Sequence, residues 1–259
     1  MPAFLTEGTV GWLRVAPSPG ARVLSGEAAG EPLHFQAVKD GAFRALIAVP
    51  VGEADSLPVS LLLERSGGTD TLAISLPILR AKYRDELLSV APRYARPDSA
   101  AAARIQTEIA ESRGVSRESQ ARPRLWKGSF RLPRTSRITS GFGTARIFNG
   151  EVQSRHLGTD FAGAIGAPVH AAGRGVVALV ADFYLAGKAV YIDHGAGLVT
   201  GYFHLSRIDV RRGQRVVAGQ RIGAVGRSGR VTGPHLHWVA RYGAISVDPM
   251  SLAHLSPSF

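Results

Sequence analysis

The chain of 259 residues contains no cysteine. That absence excludes disulfides, thiolate ligation of a metal and cysteine nucleophiles. No apolar run approaches the roughly 18 residues that would carry a helix across a bilayer. The first fifteen residues carry Glu7 and no basic stretch followed by an apolar one, so they do not form an intact signal peptide. The initiating Met1-Pro2 is what a chain with its export signal or anchor removed would show. Acidic residues are scarce in the second half. Residues 125–259 hold 16 Lys/Arg against 6 Asp/Glu, net +10, whereas residues 1–124 hold 15 against 14, net +1. A basic segment of this kind implies a polyanionic partner: nucleic acid, acidic lipid or an anionic cell-wall polymer. Nucleic acid fits poorly, because basic and aromatic residues are not interleaved and no recognised fold signature is present.

Apolar residues make up 45% and charged residues 20%, ordinary values for a globular protein. The length admits one large domain or two modest ones. Residues 1–91 read as short strands, at 8–16, 33–38, 43–49, 59–64 and 70–79, divided by turn residues such as Lys39-Asp40-Gly41 and Ser66-Gly67-Gly68. This spacing predicts a small antiparallel sandwich. Residues 92–124 change character: Asp98 as N-cap and Gly114 as the closing glycine frame one amphipathic helix, and the polar residues 116–124 read as a linker between domains. From residue 125 helical periodicity is absent, and glycine-bounded runs at 138–143, 168–172, 175–182, 189–193, 198–204, 220–225 and 235–241 predict an all-β domain over residues 125–259.

The chemistry lies in this β segment. His156 and Asp160 stand four apart in His156-Leu157-Gly158-Thr159-Asp160, His204 ends Gly201-Tyr202-Phe203-His204, and His235 and His237 close the set in Gly233-Pro234-His235-Leu236-His237-Trp238. Residues two apart on a strand project from one face, and so do residues four apart. Both pairs can therefore converge on one pocket. Imidazole and carboxylate are the ligands Zn²⁺ takes where thiolate is missing, and three protein ligands with one open position mark a catalytic site. Five candidates leave two in excess. A peptide hydrolase needs such groups, one to take a proton from the attacking water and one to stabilise the oxyanion. Tyr202, which a regular strand would place on the same face as His204, and Asn149 in the turn Phe148-Asn149-Gly150 are candidate substrate contacts. His194, in Asp193-His194-Gly195, reads as a turn residue.

The residues from Arg137 to Leu252 resemble the lysostaphin/LytM-type zinc metallopeptidases. The resemblance rests on Thr139-Ser140-Gly141-Phe142-Gly143, His156-Leu157-Gly158-Thr159-Asp160-Phe161-Ala162-Gly163, Ile192-Asp193-His194-Gly195, Tyr202-Phe203-His204-Leu205-Ser206, Val225-Gly226-Arg227-Ser228-Gly229 and Thr232-Gly233-Pro234-His235-Leu236-His237-Trp238. It implies an antiparallel β-sheet catalytic domain and a Zn²⁺-dependent endopeptidase acting on peptide stems or cross-links of bacterial peptidoglycan. It also implies His156, Asp160 and His237 as zinc ligands, His235 as general base and His204 as oxyanion stabiliser. Relatives that have lost ligands serve as activators of amidases; here all five positions are filled. The resulting expectation is a mainly β, two-domain protein, with an N-terminal accessory domain of sandwich type, acting in the periplasm or outside the cell. The loops at 182–188 and 227–233 are expected to shape the groove.

Overall fold

The computed structural model describes residues 5–52, 55–88, 90–148 and 152–255. The chain divides into two compact units, Met1–Lys82 and Tyr83–Phe259. The first comprises β1 (Leu5–Thr6), β2 (Val10–Val15), β3 (Arg22–Ala28), β4 (Glu31–Pro32), β5 (Gln36–Ala37), β6 (Phe43–Ala48), β7 (Ser56–Arg65) and β8 (Gly68–Leu79). One sheet runs β1-β8-β7-β3-β4, the other β2-β6-β5. Their inner faces share a core: Leu13 and Ile47 from the small sheet meet Val23, Leu57 and Leu61 from the large one. On β7, Leu57, Val59, Leu61 and Leu63 are buried while Pro58 and Ser60 are exposed, the period of two expected of a sheet with one wet face. The Lys39-Asp40-Gly41 turn joins β5 to β6 as expected, closed by Val38 N–H donating to Ala42 O. Strand β3 has no sequence signal, because a register shift between Val23 and Ser25 breaks its alternation.

The second unit comprises β9 (Asp85–Leu88), α1 (Pro92–Ala95), α2 (Ser99–Gln120), β10 (Ile138–Ser140), β11 (Ala145–Phe148), β12 (Val152–Arg155), β13 (Thr159–Ala162), β14 (Pro168–His170), β15 (Gly175–Phe183), β16 (Gly187–Gly195), β17 (Leu198–Ile208), β18 (Arg215–Val216), β19 (Arg221–Val225), β20 (His235–Tyr242), β21 (Ile245–Val247) and α3 (Met250–Ala253). The main sheet runs β10-β13-β20-β17-β16-β15-β18. A smaller one runs β12-β11-β9, with β9 parallel to β11.

Two expectations about the middle of the chain change. Asp98 does cap α2, accepting from Ala101 N–H at 2.8 Å, but the helix continues through Gly114 to Gln120. Burial decides this: Val115, Ser116 and Ser119 lie against the main sheet, which outweighs the ~1 kcal/mol that glycine costs in a helix. Ser119 Oγ donates to Asp193 Oδ1 at 2.5 Å and Arg122 pairs with Asp193 at 3.2 Å. Residues 92–124 are therefore folded with the second unit rather than strung out as a linker. The division falls between Lys82 and Tyr83, earlier than residue 91, because β9 pairs with β11.

Candidate metal centre

Three neighbouring strands deliver the site. Asp160 on β13 stands directly across from His237 on β20, and His237 stands across from Phe203 on β17. His156 lies just before β13, its N–H donating to Thr144 O at 2.7 Å. Gly158 makes room for this approach, since a Cβ there would come within 2.6 Å of His237 Cε1 and of Trp238 O. His235, two before His237, shares its face. His204 reaches the same pocket by a different route. Between the pairs Val190↔Tyr202 and Lys188↔Leu205, β17 advances three residues while β16 advances two, which is a β-bulge. His204 takes up the extra residue at φ 61°, a left-handed conformation that costs a non-glycine residue of the order of 1 kcal/mol or more. It is fastened there by its N–H to Ala186 O at 2.9 Å and its Nδ1–H to Ser228 O at 2.8 Å. The bulge turns its ring to within 4.9 Å of the His235 ring and 5.8 Å of the His237 ring, centroid to centroid.

The same bulge overturns one expectation. Tyr202 does not share a face with His204. It points to the opposite, fully buried side of β17, where its oxygen accepts from Ala172 N–H at 2.7 Å and lies 3.1 Å from Thr200 Oγ1. Tyr202 is thus a structural residue out of reach of the groove. Asn149, the other expected substrate contact, lies outside the described residues. His194 lies within β16 rather than in a turn, and is wholly buried.

Three atoms form the centre. His156 Nε2, His237 Nδ1 and Asp160 Oδ1 lie 2.9, 2.7 and 3.0 Å apart as the His–His, His237–Asp and His156–Asp pairs. Among the described residues this is the one His/Asp/Glu group gathered closely enough to hold a metal ion. The hydrogen bonding of His156 says what such a gathering requires. Its Nδ1 faces the Gly141 carbonyl at 2.8 Å, and a carbonyl can only accept, so Nδ1 carries the proton. In the neutral ring Nε2 is then a lone pair aimed at a carboxylate oxygen. A proton on His237 Nδ1 could serve one of these two acceptors, but the acceptors would still face each other. A cation seated among the three atoms removes the conflict, and two imidazoles with a carboxylate are a donor set that zinc accepts.

The second carboxylate oxygen is taken. Arg146 donates to Asp160 Oδ2 at 2.6 Å and to Ser140 Oγ at 3.2 Å. Ser140 Oγ lies 3.1 Å from His156 Nδ1 and donates to Glu86 Oε2 at 3.1 Å, and Glu86 in turn sits 3.5 Å from Arg146 Nε. Partners of this kind orient ligating groups and fix their tautomers. Sequence reasoning missed Arg146 and Glu86 because the small sheet that carries them has no alternation signal. Burial works against a charged Asp160, but His237 and His156 beside it hold the carboxyl well below its usual range. Burial also pulls His237 down to about 4, against the attraction of Asp160. His204 is held well below the usual histidine range by burial, with His237 and His235 adding to the effect.

Asp160, His204, His235 and His237 open into a cavity of about 480 Å³. Leu185 and Ala186 line it from one expected loop and residues 230–233 from the other.

A mainly β domain that brings an Asp between histidines on adjacent strands has the build of a metallopeptidase domain. Comparison agrees: residues 154–249 match the model of Peptidase family M23. All five candidate residues fall within this stretch. The chain is 50% identical over 105 residues to the peptidoglycan DD-endopeptidase ShyA of Vibrio cholerae serotype O1, covering 39% of this chain and 24% of that protein. It is 38% identical over 133 residues to the DD-carboxypeptidase/endopeptidase Mpg of Neisseria meningitidis serogroup B, covering 51% of this chain and 31% of that protein. The chain thus spans between about a quarter and a third of the length of these curated relatives. A crystal structure from Pseudomonas aeruginosa assigned to peptidase M23 superimposes with a TM-score of 0.72 at 26% identity, covering 96% of this chain and 94% of that one.

Proposed function

We propose that the protein is a zinc-dependent endopeptidase hydrolysing peptide stems or cross-links of bacterial peptidoglycan outside the cytoplasmic membrane, with His156, Asp160 and His237 as ligands. The observation that carries this reading is the convergence of His156 Nε2, His237 Nδ1 and Asp160 Oδ1, which lie within 3.0 Å of one another, while His156 Nδ1 faces Gly141 O, so that the neutral ring turns a lone pair toward the carboxylate. The relatives named as peptidoglycan endopeptidases and the net charge of +10 over residues 125–259 support the choice of substrate. Zinc held there supplies Lewis acidity and lowers the pKa of a coordinated water to about 7.

His235 is the general base. Its Nδ1–H donates to Gly233 O at 2.8 Å, which leaves Nε2 unprotonated in the neutral ring, 3.7 Å from Asp160 Oδ1 and open to the cavity. His204 is fixed in the same tautomer by Ser228 O. It can donate to the developing oxyanion only from a doubly protonated ring, which burial and the neighbouring His237 and His235 oppose. Its role as stabiliser therefore depends on a proton gained as negative charge develops beside it. Arg146 and Ser140 keep Asp160 and His156 in place while protons move. Fluorescently labelled sacculi, zinc-loaded protein and a chelator arm test the reading. Release of label that stops with chelator and returns with zinc is expected; release indifferent to the chelator overturns it. Zinc bound at one equivalent with no release would instead favour a wall-binding activator of amidases.

A further inference from the structure

The cavity at the metal centre does not end at Thr232. A second cavity of about 460 Å³ adjoins it, and both are lined by Val90, Val231 and Thr232, so the two form one groove. Its charges are unevenly matched. Glu86 and Asp160 are the only acidic residues lining either cavity among the described residues, and both are engaged by Arg146, at 3.5 and 2.6 Å. Arg137 lines the first cavity, and Arg93 and Arg227 line the second. None of these three has a carboxylate within ion-pair distance among the described residues, and all three are exposed. The Arg93 guanidinium carbon sits over the Tyr94 ring, 4.9 Å from its centroid.

Guanidinium groups gathered along a groove without partner anions repel one another, and an incoming anion relieves that repulsion. The planar fork matches a carboxylate bidentately. We propose that the groove selects peptides carrying free carboxylates, bound by Arg137 beside the metal centre and by Arg93 and Arg227 in the adjoining cavity. This rests on the hydrolase reading for its substrate and adds the groups by which substrate is recognised. It makes the three arginines specificity residues rather than catalytic ones.

The test uses a fluorescein-labelled cross-linked peptidoglycan peptide dimer with its carboxylates free, and the same dimer fully amidated. Anisotropy is read by stopped flow before turnover. The free dimer is expected to bind about tenfold or more tightly, the value of one or two charge-assisted hydrogen bonds. Both Arg137→Gln and the double variant Arg93→Gln/Arg227→Gln are expected to shrink that ratio while changing the Kd of the amidated dimer little. A merely structural role would shift both dimers together and leave the ratio unchanged. Equal affinity of the wild-type protein for the two dimers, or a ratio unmoved by both sets of variants, overturns the proposal. Cleavage by zinc-loaded protein is followed in parallel. Failure to cut either dimer while the ratio holds would count against the hydrolase reading alone.

Discussion

On one face of β17 His194 has both ring nitrogens matched: Nδ1–H donates to Arg174 O at 2.8 Å, and Nε2 takes the Thr200 hydroxyl at 2.8 Å. On the other face His156 has only its Nδ1 matched, and Nε2 is turned toward the Asp160 carboxylate and the His237 ring nitrogen. Both histidines are almost wholly buried. Burial alone therefore does not separate a structural imidazole from a ligand. The polarity of what each nitrogen faces does. A ring whose partners complete its hydrogen bonding asks for nothing further, whereas lone pairs set against lone pairs ask for a cation.

The strongest way to break this comparison is to remove a member of the convergent set. His237→Ala is expected to lower bound zinc, measured by elemental analysis, from one equivalent to near zero. It should also lower hydrolysis by at least about 10⁴-fold, since the metal contributes several kcal/mol of transition-state stabilisation. Retention of full zinc by this variant would sink the ligand assignment. Next comes His235→Ala, expected to keep zinc and lose about 10³-fold in rate, within the range for general acid–base catalysis. A smaller effect is expected from Arg146→Gln. Asp160 would keep its ligating oxygen but lose the 2.6 Å bond to the other, and zinc affinity in competition with a chromophoric chelator should fall about 10–100-fold.

The His235–His237 pair was legible in the sequence because strand periodicity is short-range: the two need only a strand to share a face. The sandwich unit was legible for the same reason, with β7 showing its alternation openly. What resisted reading was whatever depends on a break in periodicity or on distant pairing. The bulge that separates Tyr202 from His204 is a one-residue irregularity in β17, invisible without its partner strand. Arg146 and Glu86 come together because β9 pairs in parallel with β11 across some sixty residues of chain, and neither strand has a pattern that announces it. The course of α2 past Gly114 was set by the sheet it covers. Ser140 stood in a motif quoted for the resemblance, but its link between His156 and Glu86 exists only in three dimensions.

The mildest prediction for the site sharpens the other half of the comparison. Burial pushes His194 down to about 4, so the folded protein holds the ring neutral while the unfolded chain takes up a proton near 6.5. The group's contribution to stability is then complete above pH 6.5 and is lost as pH falls toward 4. Over that window it amounts to roughly 3 kcal/mol. His194→Gln removes the titration but leaves Arg174 O and the Thr200 hydroxyl short of a well-placed partner, at a cost of about 1–3 kcal/mol at pH 7. Urea melts at pH 7.5 and pH 5 should therefore show the variant less stable at the higher pH, with the gap to wild type narrowing at the lower. Zinc content at pH 7.5 should be unaltered, because no atom of His194 joins the metal group. If the gap instead stays constant with pH while zinc content falls, His194 belongs energetically to the metal centre, and the division between the two faces of β17 fails.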